Sequence, residues 1–235
     1  MNPYLVILLI IAIVALLTGV SYYSHRPEEA RTKALRAIAE QQGWAFDAIS
    51  SDNHRTRYRA FDYFTRGHSQ LCQNTTEGEL KIHNTPHHFK MGDYLYECDD
   101  EDNSRDPVRR FSYICLHLPY SRVPDLFIRQ ETLSDRIGSA FGMSDINFES
   151  EEFSNTFHVS STDRRFAYDV ITPATMEFLL KVPEVGVELR DNILCFVSES
   201  GRWSAADFMP RLKWAAHFID LWPDHVIHEY TEARA

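Results

Sequence analysis

Histidines are the first residues to weigh. In IHNTPHHF, His83, His87 and His88 flank a turn, where neutral imidazoles can converge on one metal ion and Cys72 or Cys98 could complete a tetrahedron. None of these intervals reproduces a zinc-ligand frame, so the expectation is three surface groups beside a strand turn. Carboxylates come next: Glu149, Glu151 and Glu152 lie close together, with Asp169 behind them. Sharing a dry cleft, they would have shifted pKa values and could act as general acid and base. Ser150 followed by Glu151 and Glu152, however, has the order of an N-cap with two acids in the first turn, where each carboxylate gains about 0.3–1 kcal/mol from the helix dipole. Helix starts are therefore expected. Gly67, His68 and Ser69 in GHSQL supply the first half of a nucleophile elbow, but the second glycine and the helix that must follow are missing. Finally, Arg55, Arg57, Arg59 and Arg66 interleave with Tyr58, Phe61, Tyr63 and Phe64. That mixture suits phosphate, above all in lipid headgroups next to a membrane anchor. The alternation of Arg57, Tyr58 and Arg59 also fits a half-exposed strand with a solvated face.

What positions these groups begins with the N-terminal leader. From Leu5 to Leu17 every residue is apolar, Tyr4, Tyr22 and Tyr23 bracket the run, and no charged side chain occurs in the first 25 residues. Tyr4 to Tyr22 is about 28 Å of helix, the thickness of a hydrocarbon core. The n-region is MNPY and no small-residue cleavage pattern follows, so an uncleaved anchor over residues 1–25, in contact with the bilayer through residues 4–23, is expected rather than a secretory signal. Arg26, Arg31, Lys33 and Arg36 lie just after the run and no cation precedes it, which places the body on the cytoplasmic side of the inner membrane. The body carries the whole net charge of −10, so nucleic acid is disfavoured as a partner. Cys72, Cys98, Cys115 and Cys195 show no paired spacing, and in a cytosolic body neither disulfides nor a glycan on the N74-T-T sequon would form.

Residues 26–43 read as an amphipathic juxtamembrane helix, with Pro27 in its first turn and Gly43 as its stop. In 44–130, WAFDAI, SQLCQNT, ELKIHN, FKMGDYLYE, RFSYICLHL and DLFIRQ read as short strands of an antiparallel meander. CDDEDNSRDP between them is a solvated acidic loop that fails as a calcium site. The region 131–235 reads as α+β: a short helix over Thr132–Phe141, the Ser150 helix start, a strand at TFHVSS, a helix capped by Thr162 or Asp163, and one opened by Thr172-Pro173. VGVELRDNILCFV then makes a hairpin in which a two-residue Asp191-Asn192 turn pairs Leu189 with Leu194 and Val187 with Phe196. A last helix, opened by Ser204 and Asp207 and stopped by Pro223, should cover that hairpin with Phe208, Leu212, Ala215, Ile219 and Trp222. The two regions after residue 43 are compatible with a single domain. Nothing in the pattern asks for a cofactor.

The order FESEEFSNTFHVSSTDRRFAYDVITPATMEFLL resembles the signature of an uncharacterised bacterial family of membrane-anchored proteins with a domain of unknown function. The likeness covers residues 140–181, with Ser154 where that pattern often has asparagine. It implies a membrane-tethered cytosolic domain, and no catalytic residues. The resulting expectation is an α+β body behind a transmembrane helix, serving as a binding or scaffolding module with a protein partner at the membrane. The alternative is a tethered enzyme acting on a small molecule or lipid through its carboxylates or a metal.

Overall fold

The computed structural model describes residues 27–50, 54–98, 108–120, 122–130 and 144–232. The expected anchor at residues 4–23, the acidic loop and the Thr132–Phe141 helix fall outside them. No described helix is long and apolar enough to cross a membrane.

A helix, α1, runs over residues 27–42. Gly43 takes φ 71° after it, and Trp44 N donates to Ala39 O while Gly43 N donates to Glu40 O, the paired bonds that satisfy the last carbonyls of a helix. Four strands follow in meander order: β1 (Ala45–Ser50), β2 (His68–Ile82), β3 (Thr85–Glu97) and β4 (Val108–His117). Five more are β5 (Leu126–Gln130), β6 (Ser144–Asp145), β7 (Phe157–Ser161), β8 (Val185–Arg190) and β9 (Ile193–Ser198). All nine join one sheet in the order β1-β2-β3-β4-β9-β8-β5-β7-β6, and every pairing is antiparallel. The β8–β9 hairpin is thus inserted between β4 and β5, and strands from both sides of residue 130 share one sheet. The body is an antiparallel β-rich α+β fold, as expected.

Side-chain alternation gives the sheet two buried faces. On β4, Ile114 and Leu116 face a large core that also holds Leu35, Phe89, Leu126, Val187 and Phe196. Helices cover this face: α1, α3 (Glu151–Thr156), α4 (Arg164–Val170), α5 (Pro173–Leu180), α6 (Phe208–Asp220) and α7 (Asp224–Glu232). Phe111, Tyr113 and Cys115 point the other way into a smaller, aromatic core under Tyr58, Phe61, Tyr63 and Phe64. α6 packs on the hairpin as expected, with Phe196 against Trp214 at 5.4 Å and Phe218 at 5.7 Å.

Several expectations hold at residue level. Val187 pairs with Phe196 and Leu189 with Leu194. The turn residues Asp191 and Asn192 both take positive φ, 49° and 59°, the conformation whose twist matches a hairpin. Ser150, Asp163 and Thr172 each accept a hydrogen bond from a first-turn N–H, and Pro173 opens α5. Ser204 and Asp207 form a reciprocal capping box.

Other expectations need correction. SQLCQNT and ELKIHN are not two strands but one 15-residue β2, continued across Thr76-Glu77-Gly78 with register shifts at His68/Leu71 and Gln73/Thr76. Gly78 is no turn: a Cβ there would sit 2.4 Å from the Trp44 ring, so its bare backbone makes room for the indole. The arginine-rich stretch is not a strand either; it forms α2 (His54–Arg57) and a 3-10 turn, Asp62–Phe64. Its aromatics cap the second sheet face, a burial pattern that mimics alternation over three residues. Pro223 does end α6, yet α7 follows at once, its Tyr230 against Phe166 at 5.6 Å.

Candidate functional site: a buried charge network and an acid-rimmed groove

Two charged networks lie in the sheet. On the helix-covered face, Asp93 is fully buried and accepts from Arg31 Nε at 2.8 Å and Nη2 at 2.7 Å, from Asn74 at 2.9 Å and from Ser112 at 2.7 Å. Ser112 Oγ accepts in turn from Trp203 N at 3.1 Å. This locks α1 to the sheet. Glu28 and Arg202 add a second bridge, at 2.6 and 2.8 Å. Asn74 is buried by the bulge of β2, so the sequon is closed to a glycan in this fold.

On the opposite face, Arg129 of β5 and Glu188 of β8 are 2 % and 0 % exposed and make a direct hydrogen-bonded ion pair. The guanidinium stacks on Tyr63 at 4.9 Å and Phe127 at 5.3 Å, and Asp62 lies 4.0 Å away. The Tyr63 hydroxyl donates to Glu199 just beyond β9. Gly186 permits this, since a Cβ there would meet the Tyr63 hydroxyl at 2.6 Å and Glu199 Oε1 at 2.8 Å. Burial raises the pKa of Glu188, with Arg129 pulling the other way, and burial likewise raises Glu199 against the Tyr63 hydrogen bond. Burial also lifts the Tyr63 phenol well above its ordinary value. Tyr63 and Glu199 line a cleft of about 410 Å³ with Arg66, Tyr96, Arg109 and Phe111.

A second concavity, about 580 Å³, lies between α3, the end of α4 and α5. Phe148, Tyr168, Met176 and Leu180 form its apolar surface, and Glu149, Glu152 and Glu177 are exposed around it.

The histidines named from sequence are not brought together. His83 is a turn residue with φ 49°. His87 and His88 are consecutive on β3 and point to opposite faces. His87 is buried, its Nδ1 donating to Thr85 O at 2.9 Å, and burial lowers its pKa. His88 packs on His117 at 5.4 Å. Among the described residues no group of three metal-ligating side chains is assembled. The carboxylates Glu149, Glu151 and Glu152 are exposed at the start of α3, while Asp169 faces Arg165 at 3.6 Å and His225 at 3.8 Å. In GHSQL, Ser69 Oγ and Glu97 both approach the same His68 nitrogen, Nδ1, at 3.1 and 3.5 Å, so the ring cannot relay a proton between them. Arg66 is bound to Asp62 at 2.5 Å and lies over Tyr63 at 4.4 Å. Arg55 and Arg57 fall in α2, and Arg57 and Arg59 are exposed.

Sequence reading missed the Asp62–Tyr63–Arg129–Glu188–Glu199 set. A signal was present: Arg129 in DLFIRQ and Glu188 in VGVELR each directly follow a run of three apolar residues inside a strand segment, and a charge in a strand buried on both faces calls for a partner. Nothing in one sequence says that the two strands are neighbours.

No known protein family matches the chain, and no curated protein does. A crystal structure of the mycobacterial trehalose monomycolate transport factor A, TtfA, superposes with a TM-score of 0.54 at 14 % identity, over 84 % of this chain and 97 % of that chain. At that identity the likeness is one of fold.

Proposed function

We propose that this chain is a binding or scaffolding module, held at the cytoplasmic face of the inner membrane by residues 4–23, that serves a transport assembly. The observation that carries this reading is where the titratable groups lie. The most deeply buried carboxylates, Asp93 and Glu188, face arginines, Glu149, Glu151 and Glu152 are exposed at a helix start, and Asp169 faces Arg165 and His225. Recognition, rather than proton transfer, is what such a surface offers. The fold likeness to a transport factor supports the transport setting. Exposed Arg57 and Arg59 fit contact with anionic headgroups beside the anchor.

The test is to purify the intact chain from its own membrane after formaldehyde crosslinking, beside a chain lacking residues 1–26. The full chain is expected to pellet with membrane through a carbonate wash and to retain a stoichiometric protein partner. A full chain that washes off, or that comes away free of any partner, refutes the proposal. A second reading, a tethered enzyme, draws support from the Tyr63–Glu199 pair in an arginine-rimmed cleft, a general acid beside an anion clamp. Under that reading Glu199→Gln abolishes function in cells while leaving partner capture intact.

A further inference from the structure

The groove between α3 and α5 presents apolar surface that the fold has not buried. Tyr168 is 45 % exposed, one of only two large hydrophobic residues so exposed among the described ones. It is nonetheless held in place. Its hydroxyl donates to Asn147 O at 3.2 Å, and its ring begins a ladder through Phe148 at 5.3 Å and on to Phe153 at 5.4 Å. Phe148, Met176 and Leu180 pack against the main core from the other side, so the floor is preformed. Around it stand Glu149, Glu152 and Glu177, and among the described residues no lysine or arginine lines the groove.

Charge narrows the occupant. A chain of net charge −10 is a poor self-partner at an acid-rimmed groove, and an anionic bilayer is repelled there in the same way. Segments of the same chain outside the described residues are no better matched. Residues 99–107 are strongly acidic, residues 131–143 hold two acids to one arginine, residues 1–26 hold Arg26 alone at the end of an apolar run, and residues 233–235 are too short to form a helix. What complements an apolar floor between carboxylates is an amphipathic helix with cationic flanks.

We propose that this groove docks an amphipathic helix of a partner protein, its leucine-type face on Phe148, Tyr168, Met176 and Leu180, its lysines or arginines against Glu149, Glu152 and Glu177. The proposal rests on the binding-module reading and names the chemistry of the partner. Glu149 and Glu152 thereby have two roles, flanking the start of α3 and steering the guest.

The test uses the full chain in detergent micelles and a fluorescein-labelled leucine–lysine amphipathic peptide of about 18 residues, long enough to be helical when bound. Its glutamate counterpart serves as control, and fluorescence anisotropy is the readout. The leucine–lysine peptide is expected to bind and the glutamate peptide not. In the double variant Glu152→Lys, Glu177→Lys, whose positions are exposed and leave the core intact, the first affinity should fall by about tenfold or more and the glutamate peptide should now bind. Met176→Asp should weaken both. An affinity for the lysine peptide that ignores the charge reversal means general attraction to an acidic chain and overturns the proposal. So does self-association of the free chain that Met176→Asp abolishes, which gives the groove to a second copy. If the membrane partner of the preceding section is captured while the charge swap fails, only the helix chemistry falls. If no partner is captured at all, the module reading falls with it.

Discussion

Replacing Arg129 with methionine isolates the buried pair on the second sheet face. Glu188 is 0 % exposed and Arg129 2 %. Arg129 is the arginine hydrogen-bonded to that carboxylate, and Glu188 Oε2 already lacks a hydrogen-bond partner among the described residues. Taking away the guanidinium leaves a carboxylate in apolar surroundings, a change that costs about 3–5 kcal/mol for buried pairs. Lost stacking on Tyr63 and Phe127 adds about 0.5–2 kcal/mol, part of which the methionine recovers. The double variant Arg129→Met, Glu188→Leu removes both charges, and should lie within about 1–2 kcal/mol of the wild type or above it. Acidity separates this from a packing effect. Burial raises the folded pKa of Glu188 above the unfolded value of 4.5, so the folded state holds the proton more tightly than the unfolded chain. That contribution is fully present below pH 4.5 and is lost as pH rises through the folded pKa. Without Arg129 the folded pKa climbs further, and the single variant should be less damaged at pH 5 than at pH 8, whereas the double variant should show no such difference. Urea unfolding of the three proteins at the two pH values, followed by tryptophan fluorescence, measures all six stabilities. A single variant that loses less than about 1 kcal/mol at both pH values, or a double variant as unstable as the single, would refute the assignment of a structural ion pair.

Two further outcomes follow from the geometry. Ser150 Oγ accepts from Phe153 N at 3.3 Å, so Ser150→Ala should lower stability by about 1 kcal/mol in the same assay, and an unchanged midpoint would count against the cap. Burial, reinforced by the positive charge His88 can carry, lowers the His117 pKa from 6.5 to about 4. The folded state therefore favours the neutral ring, and this contribution is present above pH 6.5 and lost as pH falls towards 4. His117→Gln should flatten the rise in stability between those limits by about 1–3 kcal/mol, and an unaltered pH profile would show that the ring titrates in water.

Legibility followed sequence distance. The caps at Ser150 and Thr172, the stop at Gly43 and the register around Asp191-Asn192 each involve groups a few residues apart and are legible from residue type, while the choice of Asp163 over Thr162 as a cap is settled by the fold. The long β2 was not, because Gly78 punctuates a turn in the sequence while in the fold it makes space for Trp44, 34 positions earlier. Tyr58, Phe61 and Phe64 gave no warning of helical turns, since what they bury against is Tyr94, Phe111 and Tyr113 on strands further along the chain.

By itself, then, the sequence determined local chemistry: the pairing across Asp191-Asn192, the helix starts at Ser150, Thr172 and Ser204, the stop at Gly43, and an acidic body after 25 residues without a charged side chain. Only the tertiary structure decided that the β8–β9 hairpin inserts between β4 and β5, that Arg129 meets Glu188 59 positions away, and that Phe148, Tyr168, Met176 and Leu180 share one open groove. Hydrogen bonds within a turn are encoded by neighbours along the chain. Strand order and the meeting of buried charges depend on the joint burial of many distant side chains, which no local pattern carries.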